Sequence, residues 1–267
     1  MSISCLINVY KNDSPFHFKE AMDSIVNQSL KASEIIIIID GEVSNELLKS
    51  INLYKKLENV KIHHMPVNMG LNAARKIGIG LCKYEYIALM DADDISDLTR
   101  FEKQIAAFNK NPDYDYIGGQ IQEFNEISGR KSLRIVPLKH KDIVNFAKFR
   151  FPMNNVTSMY KRETYCKTAG YDDERGYEDY KLFYKFLEVG AKFLNIEDVL
   201  VYVRTDKYRL ERHSGISYFI NEKNFFWNIY KKGFINYNEY LLNILIRLFT
   251  RFLPRKILAL VYYLLRS

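Results

Sequence analysis

Apolar positions along the first 112 residues follow two alternating periods. Residues 3–9, 35–39, 60–63 and 84–90 are short runs rich in Ile, Val, Leu and Tyr, which suits strands. Between them, spacings of three and four gather Phe18, Met22, Ile25 and Val26 on one face over 15–28. The same spacing joins Val43, Leu47, Leu48, Ile51 and Tyr54 in the next segment. Residues 71–82 and 98–109 read as two further helices, the second carrying Leu98, Phe101, Ile105 and Phe108. The run 35–39 is isoleucine throughout, the mark of a strand covered on both faces. Such repetition predicts an α/β fold with a mostly parallel sheet flanked by helices and joined by right-handed crossovers.

Beyond residue 112 the pattern loosens. Residues 116–122 and 156–160 read as strands, 141–150 and 178–189 as helices, and 192–203 as extended chain rich in Val and Tyr. From about 206 the chain becomes helical, aromatic and basic. The expected organisation is a main domain over 1–205, in halves of about 1–112 and 113–205, followed by a helical extension over 206–267.

Composition narrows the class. With 48% apolar and 14% aromatic residues among 267, the chain has material for a large core, which excludes global disorder. The 20 Tyr and 17 Phe also allow aromatic surfaces against sugar or lipid. Cys5, Cys82 and Cys166 suit neither a disulfide framework nor a zinc site, so they read as buried fillers in a reducing compartment. No basic-then-apolar leader precedes the first strand, so a cytoplasmic chain is expected. The net charge of +7 is concentrated late: from residue 247 onward the chain carries Arg247, Arg251, Arg255, Lys256 and Arg266 and no acid. No arginine–aromatic nucleic-acid module is visible, so nucleic acid is not an expected partner. An anionic membrane surface suits the tail better.

The candidate chemistry begins where the 84–90 strand meets Asp91-Ala92-Asp93-Asp94. Carboxylates are rarely clustered at a strand end for packing reasons. Asp91 and Asp93, two apart on extended chain, can face one way and share a hard divalent cation with a diphosphate. One acid of Asp94 and Asp97, or Ser96, is expected to cap the following helix. Asp40-Gly41 after the isoleucine run is either a ribose or base contact or a plain turn. Asn68 through Arg75 opens a helix after Gly70, an arrangement suited to phosphate or simply a solvated arginine. Glu178-Asp179 is a paired carboxylate suited to general-base work or to the helix dipole. Arg209, Arg212 and His213 form a basic cluster that suits a diphosphate or a metal if it is not merely solvated.

Taken in order, Asn8-Val9-Tyr10, residues 34–41, Asn68 through Arg75, residues 86–94, Arg100-Phe101, and Gly170-Tyr171 followed by Glu178-Asp179 resemble the family 2 glycosyltransferases with a GT-A fold. More narrowly, the chain resembles bacterial enzymes of exopolysaccharide, capsule and O-antigen assembly. The resemblance spans about 2–205 and is strongest over 34–104 and 170–205. It implies inverting transfer from a nucleotide-sugar, UDP by family habit, with Mn2+ or Mg2+. Val9, Tyr10, Asp40, Gly70, Arg75 and Asp91 would then hold the donor. Asp91 and Asp93 would form the DxD metal element, with Asp93 the nearer ligand and His213 a further candidate. Asp179 would be the base, supported by Glu178, and Asn154, Asn155 and Thr157 would lie on the acceptor side. One departure is Ile39, which stands where many relatives carry a second acid before the glycine.

The tail completes the reading. Residues 241–253 are mostly apolar, and a nine-residue run over 257–265 follows Pro254-Arg255-Lys256. A spanning helix needs about 20 apolar residues. Arg247, Arg251 and Arg255 recur every four residues and so share one helical face. That describes helices lying peripherally on the inner face of the cytoplasmic membrane, which fits the lipid-linked oligosaccharide acceptor that the resemblance implies. Packing on the main domain or in a homodimer is the alternative. Two rivals compete with the transferase reading. One is a phosphatase of the haloacid dehalogenase type with Asp91 as nucleophile, and the other is a non-catalytic membrane-associated scaffold.

Overall fold

The structure, a computed structural model, describes residues 1–173, 176–205 and 216–252. Its sheet grows outward from β1 (Ile3–Val9), flanked in parallel by β2 (Glu34–Asp40) and β4 (Tyr86–Asp91), with β3 (Val60–Met65) added outside β2. Every residue of β2 is buried. Ile35, Ile37 and Ile39 enter the core beneath α1 (Pro15–Val26), α2 (Asn45–Asn52) and α4 (Arg100–Lys110). Ile36 and Ile38 enter the opposite core, beneath α3 (Leu71–Leu81). The two-sided strand expected from the isoleucine run is therefore present, and both layers form from it.

The parallel ladder ends at β4. There β8 (Met159–Lys161) inserts antiparallel between β4 and β6 (Tyr116–Phe124), and β9 (Phe193–Arg204) runs parallel to β6. The short strands β5 (Ile95–Ser96) and β7 (Lys131–Arg134) pair antiparallel with β9 and β6. The sheet order is β3-β2-β1-β4-β8-β6-β9-β5, so the first half is parallel as expected and the whole sheet is mixed. Two buried side chains of α4 secure the change of direction. Arg100 donates to the carbonyl oxygens of Leu89 (2.9 Å) and Ser158 (3.3 Å) and to Gln104 Oε1. Gln104 Nε2 donates to Ile117 O and Thr157 O, both at 2.8 Å. Burial lowers the Arg100 pKa to about 10, which leaves it charged at neutral pH.

Beyond β6 the chain adds α5 (His140–Ala147), α6 (Arg162–Lys167), α7 (Glu178–Glu188), α8 (Ile216–Lys231) and α9 (Tyr237–Phe252). β5, β7 and α6 were not legible in the sequence, being two, four and six residues long. Many aromatics face inward. Tyr180 of α7 packs on Phe225 of α8 at 4.7 Å and on Tyr184 at 5.6 Å. Cys5 and Cys82 are buried as expected, whereas Cys166 is exposed on α6.

Helix α9 corrects the reading of the basic stripe. Arg247 points inward: its guanidinium lies over Phe226 at 3.9 Å and donates to Phe149 O at 2.8 Å. Asn243, also inward, donates to Lys148 O. The outward face is instead apolar, with Leu241, Leu242, Leu245, Ile246, Leu248 and Phe249 exposed. Toward the protein the helix thus sets Asn243 and Arg247 beside Tyr240 and Ile244, and toward solvent it is apolar. Arg255, Lys256 and Arg266 lie outside the described residues. Among the described residues no helix is long and apolar enough to cross a membrane.

Candidate active site

The carboxyl ends of β1, β2 and β4 form one edge, where open α/β sheets bind ligands. Register places Asn8 beside Asp91 at this edge. Asp91 and Asp179, 88 positions apart in the sequence, are drawn together by Arg75, which rises from the first turns of α3 and is only 3% exposed. Its Nη1 donates to Asp179 Oδ1 at 2.6 Å, and its Nη2 lies 3.5 Å from Asp91 Oδ1. The ring of Tyr171 lies under the guanidinium at 5.6 Å, and its hydroxyl donates to Asp179 Oδ1 at 3.2 Å. Burial raises the Asp179 pKa; Arg75 and the Tyr171 hydrogen bond oppose the rise, while Asp91 and Glu178 add to it. The outcome is a carboxylate above the ordinary range, the condition that suits a base. Arg75, expected as a donor contact, bridges two acids here.

Glu178 turns away from this cluster and accepts from Gly176 N at 2.7 Å. It secures the start of α7, and its influence on Asp179 is through charge. Asp40 is 4% exposed, and its two oxygens accept from Met69 N (2.7 Å) and Gly70 N (2.9 Å). It therefore fixes the loop that launches α3. Gly70 caps that helix with φ 90°, and Gly41 has φ 81° with the backbone nitrogen of Asn68 2.6 Å from where a Cβ would stand. Both positions favour glycine. Val9 is buried at the tip of β1, so it presents backbone to the edge, while Tyr10 is exposed beyond it.

Asp93 is exposed at the mouth of the site; partial loss of hydration, and then Asp91, raise its pKa. Its loop is held from behind by Arg204, whose Nε donates to Asp93 O and whose backbone N donates to Asp94 Oδ1, both at 2.9 Å. Asp94 is thus spent on β9, not on the helix cap. The expected cap is not Asp97 either: Thr99 stands at the N-cap with no side-chain capping bond, Asp97 only braces it by accepting from Thr99 N at 3.0 Å, and Ser96 lies in β5. Two residues went unnoticed in the sequence. Arg204 looked like the end of an ordinary strand. Asp13, in the loop after β1, accepts from Tyr10 N at 2.8 Å and reaches an apparent pKa of about 7. Burial is the main cause, with Asp93 and Asp91 adding to it. Its signal was an acid beside Ser14-Pro15, the start of α1, immediately after a strand tip.

Three acceptor-side candidates separate. Asn154 and Thr157 are fully buried, with Asn154 Nδ2 donating to Gly119 O (2.9 Å) and Thr157 Oγ1 accepting from Gly119 N (3.0 Å). They brace a short turn against β6 and are not free to meet an acceptor. Asn155 is half-buried beside them, its Oδ1 accepting from Ser158 Oγ at 3.3 Å. Arg209, Arg212 and His213 lie outside the described residues.

Among the described residues, no group of three or more His, Cys, Asp or Glu side chains is placed to hold a metal alone. Asp91 and Asp93 nonetheless leave negative charge at the mouth, which adds to burial in raising the pKa of Asp13, and Asp91 does the same for Asp93. Such a hard, acceptor-only edge fits an ion shared with phosphate oxygens and not a closed protein cage.

The sheet switches from parallel to mixed after β4, with acids at its carboxyl edge. The profile described as "Glycosyl transferase family 2" matches residues 6–169, and the chain belongs to that family. It is 34% identical over 260 residues to the UDP-Gal:alpha-D-GlcNAc-diphosphoundecaprenol beta-1,3-galactosyltransferase of Escherichia coli, covering 97% of this chain and 94% of that one. It is 30% identical to the amylovoran biosynthesis glycosyltransferase AmsE of Erwinia amylovora, covering 97% of each. Its fold matches S. aureus TarS 1-349 in complex with UDP-GlcNAc, with TM-score 0.65 and 15% identity over 84% of this chain and 65% of that one. The fold is therefore the expected GT-A type, and family membership removes the phosphatase alternative.

The raised pKa of Asp13 gives a pH signature. Between 3.8 and about 7 the folded chain holds a proton that the unfolded chain has lost, so stability falls as pH rises through that window and then levels. Asp13→Asn should raise the thermal midpoint more at pH 8 than at pH 4. An equal shift at both values in thermal scans contradicts this.

Proposed function

We propose that the chain is an inverting, metal-assisted glycosyltransferase that moves a sugar from a UDP-sugar to a hydroxyl of a lipid-linked oligosaccharide in bacterial surface polysaccharide synthesis. The observation that carries the mechanism is the pairing of Asp179 with Arg75 at 2.6 Å, beside Asp91 on the sheet edge. Asp179 takes the proton of the acceptor hydroxyl. The acceptor oxygen bonds to the anomeric carbon as that carbon's bond to the diphosphate oxygen breaks, and the electron pair leaves with the nucleoside diphosphate. Attack from the face opposite the leaving group inverts the centre. Arg75 and Tyr171 hold Asp179 in one orientation and favour its ionised form.

Asp91 and Asp93 would hold a divalent ion, beside Asp13, whose pKa burial and these two acids hold above its ordinary range. When bound, such an ion supplies charge neutralisation at the departing diphosphate. Tyr10 and the Gly70 loop border the donor side, and Asp40 serves it by fixing that loop. The E. coli relative's name specifies UDP-Gal and a diphosphoundecaprenol acceptor, and the TarS complex contains UDP-GlcNAc. Both support a UDP donor, and the first supports a lipid-linked acceptor. The apolar outward face of α9 supports a peripheral seat on the inner membrane surface, because leucines turned outward against inward Asn243 and Arg247 gain burial only in lipid or a partner.

In Asp179→Asn, donor binding by calorimetry should persist while sugar transfer to a lipid-diphosphate acceptor falls about 100-fold or more. Retained transfer overturns the base assignment, and polymer production unaffected in cells favours a scaffold. The paired substitution Leu245→Glu and Phe249→Glu should abolish co-sedimentation with anionic vesicles while leaving the circular dichroism spectrum unchanged. Undiminished sedimentation contradicts the membrane seat, and loss of a dimer instead assigns this face to a second copy.

A further inference from the structure

The link between the catalytic helix and the C-terminal helices converges on Tyr177. Among the described residues it is the one non-glycine residue with positive φ (φ 61°, ψ 25°), a left-handed conformation that a bulky side chain keeps only where its surroundings compensate. It stands at the cap of α7, two residues before Asp179, and its carbonyl accepts from Lys181 N at 2.7 Å, within the first turn of the helix. Gly176 before it also has positive φ (98°). The direction in which α7 starts, and hence the aim of Asp179 at Arg75, is set at this pair.

What holds Tyr177 comes from elsewhere in the chain. Its hydroxyl donates to Glu222 of α8, a carboxylate only 1% exposed. Its ring stacks on Phe225 at 4.9 Å with planes 15° apart. Glu222 in turn lies 3.4 Å from Arg247 Nε of α9, the inward-facing arginine of the apolar helix. A buried carboxylate seldom persists without such partners. Here its placement serves the turn that carries the base.

We propose that Tyr177 is a positioning residue for Asp179, its hydroxyl held by Glu222 so that the C-terminal helices form part of the catalytic unit and are not only an anchor. This role rests on Asp179 being the base. It differs from direct participation: Tyr177 touches neither Asp179 nor Arg75 in the contacts described, and acts through the backbone of the α7 cap.

The test uses the full chain with a lipid-diphosphate acceptor and the donor that the wild type turns over. Tyr177→Phe keeps the ring stack and removes the hydroxyl. It should lower kcat on the order of 10-fold, as misaimed groups do, with the donor KM within about two-fold. Glu222→Leu removes the same bond and also the pairing with Arg247, so it should lower kcat at least as far. Glu222→Gln, which still offers an acceptor oxygen, should recover most of the rate. The double variant Tyr177→Phe with Glu222→Leu should be no slower than Glu222→Leu alone, because the Tyr177–Glu222 bond is already lost there. Wild-type kcat in Tyr177→Phe overturns the proposal, as does a parallel loss of kcat, KM and thermal midpoint in all variants. A wild type inactive with every donor sinks the glycosyltransferase reading, and this role with it. An active wild type with an unaffected Tyr177→Phe sinks the positioning role alone.

Discussion

A guanidinium that is nearly out of water cannot be left without acids, and the site depends on that constraint. Arg75 is 3% exposed and meets Asp179 at 2.6 Å and Asp91 at 3.5 Å. Breaking a buried pair by removing one partner costs about 3–5 kcal/mol, and less where a partner reaches solvent, as Asp91 does. The pair therefore ties α3 to both α7 and the end of β4. Helix α3 must sit close to the sheet for this reach. Gly78 permits it, since a Cβ there would lie 2.4 Å from Leu6 Cδ1. At the other end Asp40 fixes the loop before α3. Residues that read singly as donor contacts thus also form the frame that aligns Asp179.

The carboxyl edge divides into two electrostatic zones. Around Arg75 the acids are compensated, and Asp179 is oriented. At the mouth, the charge of Asp93 is opposed in part by Arg204, which spends its side chain on Glu20, Glu126 and the Asp93 carbonyl, while burial and then Asp93 and Asp91 hold the Asp13 pKa up. Excess negative charge at the mouth and compensated charge behind it is the arrangement that a cation–diphosphate pair completes. The C-terminal helices contribute from the opposite side of α7, through Tyr177 and the aromatic packing of Tyr180 on Phe225. In the proposed reading, the outward leucines of α9 would set this helix pair between Asp179 and the lipid that carries the acceptor.

Much of the fold was legible because the first half obeys simple periods. The five isoleucines, the Asp91–Asp93 spacing and the Gly70–Arg75 helix start predicted elements within a residue or two of those observed. β5 and β7 were not legible because two- and four-residue strands carry no period of their own and form only where β9 and β6 offer an edge. Side-chain roles were read less well for a physical reason. Sequence shows which residues can donate or accept, but not which neighbours already satisfy them. Asn154 and Thr157 looked available and are spent on Gly119, and Arg247 looked outward and faces Phe226. Asp13 and Arg204 gained their places only when strand tips and β9 came together at the edge.

The most direct measurement is release of UDP, GDP or dTDP from a panel of nucleotide-sugars by the purified chain, with Mn2+ or Mg2+ and with chelator. Metal-dependent turnover of a UDP-sugar, lost in Asp93→Ala, is the predicted result. Absence of turnover together with absence of calorimetric binding for every donor would contradict the account.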